Sequence, residues 1–320
     1  IMRDAALGLL GAQGETRAIA GRFLAIVLPA LPLLGVGMVA GGLMRAVGDA
    51  RRSMQITLAG GAVAAVLDPL LIFGLGLGID GAAIASALSR ATLAVMGLHY
   101  LVRVHGLLGR IERAHLAADA RRIFGIGFPA VATQLSTPFG NAFLTGTVAQ
   151  HGDAAVAGWA VVGRLSALAF GAVFAMSEAV GPIIGQNRGA GLMARVRETH
   201  RDALLFAGGY VLCAWAALFL ATPWIVAGFG LTGGGVAVVE AFTGYGAGAF
   251  LFTAALFVSN AAFNNLGRPV WATAFNWSRD GVAIPALAAL LGGAAGASGV
   301  IAIQATAAVL VGTAAALAAR

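Results

Sequence analysis

Long apolar runs, broken at intervals by short clusters of arginine and glycine, set the pattern of this chain. Nine of the runs are long enough to cross a membrane, at roughly 16–44, 53–76, 81–104, 123–149, 154–186, 200–227, 236–266, 270–291 and 295–319. About 20 helical residues span the hydrocarbon layer, and a helix pairs its own backbone groups where no water can. The pattern therefore predicts an all-α integral membrane protein with nine transmembrane helices. The fifth and seventh runs are long enough to require tilt. Pro29, Pro32, Pro129, Pro138, Pro182 and Pro285 fall inside the runs, which points to kinked helices whose freed carbonyls are satisfied by neighbours.

The charges give the chain its orientation. Only 10% of residues are charged, against about 25% in a soluble domain. Arg45, Arg51 and Arg52; Arg103, Arg110, Arg113, Arg121 and Arg122; Arg188, Arg195, Arg197 and Arg201; and Arg268 all lie in alternate connections. The intervening connections near 77–80, 150–153, 228–235 and 292–294 hold no arginine. By the positive-inside rule the arginine-bearing connections are cytoplasmic. The net charge of +7 thus follows topology, and no nucleic-acid partner is expected. Arg3, Arg17 and Arg22 run against the pattern, on what should be the outer side. Cys213 is the single cysteine, and the five histidines lack the spacing of a zinc site, so neither a disulfide framework nor a metal centre is expected.

A repeat divides the chain. Gly11, Gly14 and Gly48 recur 219 residues later as Gly230, Gly233 and Gly267. GIDGAA then matches GASGVI with a one-residue slip, setting Gly81 against Gly299. Parallel repeats of this kind build two-lobe transporters with substrate bound between the halves. The reading is a partial amino-terminal lobe at 1–105, a cytoplasmic linker at 106–122 with the charge pattern of an amphipathic surface helix or a plain loop, and a carboxy-terminal lobe at 123–320. Three helices precede the second repeated unit but not the first, and the chain opens on Ile1. The expectation is nine helices of twelve, the first three lacking.

The motifs resemble those of the multidrug and toxic compound extrusion (MATE) transporters. LMRAVGDARRSM (43–54) looks like that family's turn after its fourth helix, and VLDPLLIFGLGLGIDGAAIAS (66–86) resembles its fifth-to-sixth helix stretch. GFPAVATQ (127–134) resembles the start of its seventh helix, and VGPIIGQNRGAG (180–191) its exit from the eighth. The resemblance implies a MATE/MOP-like bundle in the bacterial inner membrane. It implies efflux of small amphipathic, often cationic molecules by alternating access, coupled to entry of a proton or sodium ion. A monomer with no cofactor is expected. The absence of buried acids on the seventh and tenth helices is similar to the DNA-damage-inducible (DinF-like) subgroup.

Asp68 and Ser86 are the cation-coupling candidates. Asp68 lies well inside the second run, where an ionisable group is costly and by default marks function. The resemblance implies that it works with a hydroxyl at Ser86, while the asparagine position of that set is Ala64 here, which weakens a cation site. A purely structural Asp68, accepting hydrogen bonds near Pro69, stays open. For the substrate cavity the candidates are Gln134, Thr137, Asn141, Thr253 and Asn260, uncharged polar groups within apolar helices that interhelical hydrogen bonding explains equally well. Arg279 and Asp280 are adjacent within a run and are read as a local structural pair, and Glu178 as a solvated group near a run's end. No phosphate loop, His-Glu-x-x-His motif or nucleophile elbow is present, and the chain has no lysine, so an enzyme is not expected. A lipid-linked precursor flippase of the same superfamily and an inactive truncated membrane fragment stay open.

Overall fold

The structure is a computed structural model that describes residues 14–109, 115–291 and 296–319. The described residues are helical throughout, apart from short turns. The chain divides into two compact units, Ile1–Glu112 and Arg113–Arg320.

In the first unit, α1 (Gly14–Val27) passes through a 3-10 turn at Leu28–Ala30 into α2 (Leu31–Ala46). Next come α3 (Ala50–Pro69), which ends in a π turn at Leu70–Gly74, and α4 (Gly78–His99), which ends in another at Tyr100–Val104. Helix α4 is the hub, packing on α1, α2 and α3. Small residues let it approach α2 closely: a Cβ on Gly97 would stand 2.6 Å from the Ala40 Cβ. Around that contact Ala40, Met44, Ile56 and Leu101 are buried. At the proline-bearing break between α1 and α2, Arg90 Nη1 donates to the Val27 carbonyl at 3.1 Å, so an arginine at membrane depth satisfies a backbone acceptor. Arg22, one of the arginines that run against the charge pattern, pairs with Asp80 at 3.2 Å.

The charge cluster between α2 and α3 ties helix ends together. Gly48 takes φ +86°, which lets the chain reverse after α2. Asp49 then caps α3 by accepting from the Arg52 backbone N–H at 3.1 Å. Its carboxylate also accepts from the Arg52 guanidinium and sits 2.9 Å from His105 Nε2, beyond the end of α4. The hydrogen bonds from Arg52 hold the Asp49 carboxyl well below the usual range, at about 2. Tyr100 Oη donates to Gln55 Oε1 at 3.0 Å and carries the Arg52 guanidinium over its ring.

The second unit opens with three long helices, α5 (Leu116–Ala149), α6 (Asp153–Gly189) and α7 (Met193–Gly228). Then α8 (Gly234–Ala241) runs through a π turn at Phe242–Gly246 into α9 (Ala247–Asn265). A similar stretch joins α10 (Pro269–Trp277), a π turn at Ser278–Ala283 and α11 (Ile284–Leu291), and α12 (Gly299–Ala318) closes the unit. Helix α9 is the core element, packed on α6, α7, α10 and α12. Its contact with α12 is so close that a Cβ on Gly312 would fall on the Phe252 carbonyl oxygen.

Among the described residues each expected run falls on one helical stretch, with turns at the ends of the second, seventh and ninth. Seven stretches are long and apolar enough to cross a membrane. The two that fall short, Leu116–Ala149 and Pro269–Leu291, carry the polar groups Gln134, Thr137 and Asn141, and Arg279 and Asp280. Helices overrun the apolar limits where polar residues continue the turn pattern. Leu116–Arg122, expected in the linker, are the first turns of α5. The rest of the linker falls partly on 110–114, outside the described residues. At the repeat positions Gly48 and Gly267 both take positive φ, as do Gly78 and Gly296. Gly11 lies outside the described residues.

Candidate functional site

The second unit encloses a cavity of about 930 Å³, walled by α5, α6, α9, α12 and the stretch from α10 to α11. On α5 the spacing of three and four between Gln134, Thr137 and Asn141 puts all three on one helix face, and all three line the cavity. On α9, Thr253, Asn260 and Asn264 lie seven and four apart and do the same. Phe174, Phe250 and Phe257 supply much of the apolar wall. Phe174 meets Phe257 at 4.9 Å between ring centroids, and Phe250 stacks on Phe170 at 4.0 Å.

The wall is fastened by hydrogen bonds that leave its polar face free. The Pro129 carbonyl accepts from Thr133 and Thr273 hydroxyls, each at 2.8 Å, and Trp277 Nε1 donates to the Ala132 carbonyl at 2.8 Å. These bonds pin α5 to α10. Asn276 Nδ2 donates to Asn260 Oδ1 at 3.0 Å, which leaves the Asn260 amide N–H groups without a protein acceptor among the described residues. Asn264 Oδ1 is buried without a partner among the described residues. Gln134, Thr137, Asn141, Thr253 and Gln304 make no side-chain hydrogen bond among the described residues. Gln134, Thr137 and Asn141 are exposed and Thr253 and Gln304 half-buried, so the set offers the cavity donors and acceptors that a ligand or water can meet.

Three charged side chains line the same cavity: Glu178, Arg279 and Asp280. Arg279 and Asp280 form a two-pronged ion pair, Nε to Oδ1 at 2.7 Å and Nη2 to Oδ2 at 3.0 Å. Their side chains are only 9% and 4% exposed. Successive residues on a regular helix diverge by about 100°; here the wider π turn at Ser278–Ala283 carries both. Glu178, read as a solvated group, sits eleven residues before the end of α6, where it is exposed and lines the cavity. The run boundary, set eight residues beyond it on hydropathy alone, hid that placement. Sequence reasoning also passed over Gln304 of α12, an amide on a helix whose other polar side chains are Thr306 and Thr313.

Asp68 and Ser86 belong to the first unit and do not line this cavity. Asp68 is half-buried on α3, immediately before Pro69, and Ser86 is half-buried on α4. Neither makes a side-chain hydrogen bond among the described residues.

A family model for MatE matches residues 1–70 and 129–289. The chain belongs to the MatE family. Seven of its described helical stretches are long and apolar enough to cross a membrane, as fits a multi-pass membrane protein of that family. The fold is that of solved MatE relatives. A point mutant of the Vibrio cholerae MATE transporter VcmN superposes with TM-score 0.92 at 23% identity, covering 99% of this chain and 73% of that one. A MOP superfamily transporter from Pyrococcus furiosus superposes with TM-score 0.90 at 21% identity, covering all of this chain and 73% of the other. In sequence, a Shewanella oneidensis protein named FAD transporter is 30% identical over 218 residues, 66% of this chain and 47% of that protein. The Staphylococcus aureus multidrug export protein MepA is 27% identical over 222 residues, 68% of this chain and 48% of MepA. The chain spans about half the length of the curated relatives it matches.

Proposed function

We propose that the protein is a secondary active exporter of amphipathic organic molecules, working by alternating access as a cation antiporter of the DinF-like subgroup. The observation that carries the reading is the 930 Å³ cavity, in which phenylalanines stand beside amides and hydroxyls that find no bonding partner among the described residues. A large apolar volume with a few convergent polar groups suits drug-sized ligands. Neutral groups that both donate and accept suit ligands of varied pattern. The relatives named for multidrug export and for FAD support the same class of cargo. Asp68, with Ser86, is the coupling site for a proton or sodium ion, because an acid within a membrane span is costly to keep. The protein acts as a monomer in the bilayer and needs no cofactor.

The test is dye and drug accumulation in cells that lack their own exporters and express the full-length protein, with and without a protonophore and with and without sodium. Export that collapses with the protonophore or with sodium removal supports antiport. Absence of export for every compound would favour the inert reading. Asp68→Asn should abolish gradient-driven export; unimpaired export by that variant would remove Asp68 from the mechanism.

A further inference from the structure

Arg279 carries five N–H donors in a planar fork. Two of them bond to Asp280 at 2.7 and 3.0 Å, and no other acceptor meets the guanidinium among the described residues. Three N–H groups of a charged side chain therefore lack a partner among those residues, although that side chain is only 9% exposed and lines the cavity. The unpartnered Nη1 is not among the fully buried atoms that lack a partner, so it keeps some surface that a ligand or water can reach. If the pair served structure alone, the remaining N–H groups would be expected to reach backbone carbonyls, as Arg90 and Arg188 do elsewhere in the chain.

Asp280 is held where it can fix the fork. A Cβ on Gly140 of α5 would stand 3.0 Å from the Asp280 Cβ and 3.2 Å from its carboxylate, so α5 passes close over the acid at a position without a side chain. With both carboxylate oxygens engaged by Arg279, the guanidinium plane is set and its other edge is left for a ligand. Planar guanidinium donors suit carboxylate and phosphate oxygens.

We propose that Arg279 is an oxyanion subsite of the cavity: it docks a carboxylate or phosphate borne by an aromatic cargo, with Asp280 as the residue that positions the guanidinium. The proposal rests on the export reading above and adds a chemical class to it. It makes the pair part of ligand recognition rather than a staple.

Rhodamine B and its ethyl ester test this, since they share one cationic ring system and differ in whether the carboxylate is free. Binding of each is measured by fluorescence anisotropy with the full-length protein in lipid nanodiscs, after subtraction of protein-free nanodiscs. The expected result is about tenfold tighter binding of the free acid, with the ratio falling to about one in Arg279→Gln/Asp280→Asn. That double variant keeps a hydrogen-bonded neutral pair. Arg279→Lys keeps the charge without the fork and should give an intermediate ratio. If the double variant elutes as an aggregate, the lysine variant decides, and an unchanged ratio there overturns the subsite. Equal binding of both dyes by the unaltered protein also overturns it while leaving the export reading intact. Binding of neither dye would overturn both.

Discussion

Removing one member of the Arg279–Asp280 pair should harm the protein far more than removing both. In Asp280→Asn the guanidinium keeps its charge, remains nine-tenths buried and loses its counter-ion and the charge assistance of two hydrogen bonds. Breaking a buried ion pair on one side costs about 3–5 kcal/mol, whereas exchanging both partners for neutral groups of like shape is often near zero. Arg279→Gln/Asp280→Asn leaves two amides that can bond to each other, so its loss should stay within about 1 kcal/mol. For a unit the size of Arg113–Arg320, each kcal/mol moves the melting midpoint by roughly 2–4 °C. The single variant should melt about 10 °C lower and the double variant within a few degrees of the parent. Scanning fluorimetry on intrinsic tryptophan emission, in nanodiscs at fixed pH and salt, reads both. A single variant that melts with the parent, or a double variant as weak as the single, would show that the pair is not desolvated as described.

Other outcomes follow from contacts elsewhere. Gly312→Ala drives a methyl group into the Phe252 carbonyl of α9, a backbone atom that cannot rotate aside; overpacking of about 1–3 kcal/mol should lower the midpoint. Gly209→Ala, at a helix position with open space around it, should leave the midpoint unchanged or raise it by the equivalent of about 0.5–1 kcal/mol. Asp49→Asn should destabilise the α2–α3 turn only where Asp49 is ionised. Because the folded carboxyl lies at about 2 against an ordinary 3.8, the difference from the parent should be full above about pH 4 and vanish as pH falls through 2. A melting difference that persists unchanged at pH 2 would contradict this. Gln134→Leu should leave the melting midpoint within about 0.5 kcal/mol of the parent, because its amide holds none of the described residues in place, while shifting the relative affinities for dyes of different polarity.

Much of the cavity was legible because polarity inside an apolar run is conspicuous. Gln134, Thr137, Asn141, Thr253 and Asn260 stood out as amides and hydroxyls where lipid-soluble residues prevail, and the structure gathers them around one cavity. What hydropathy could not convey was depth and direction. Glu178 was read as solvated from its distance to the end of an apolar run; it is exposed, but the surface it meets is the cavity, eleven residues before α6 ends at Gly189. The adjacency of Arg279 and Asp280 suggested mutual neutralisation, and the ion pair bears that out. That the pair also faces the cavity depends on the π turn at Ser278–Ala283, for which the sequence offers no simple signal. The charge cluster at 43–54 announced a turn; its link to His105 joins residues 56 apart and became visible only in three dimensions.

The cavity amides that brace none of the described residues have a bearing on heredity. In most proteins a residue that touches a ligand also supports its neighbours, so altered recognition is obtained at the expense of folding, and selection must find a compensating change. Gln134, Asn141 and Gln304 are not under that double obligation. Single nucleotide changes at their codons can redraw the range of compounds accepted while the yield of folded protein stays level. Under drug pressure, such a lineage should acquire new preferences in one step, and its successful mutations should cluster at these positions rather than at Asp280 or Gly312, where a single change disturbs the fold.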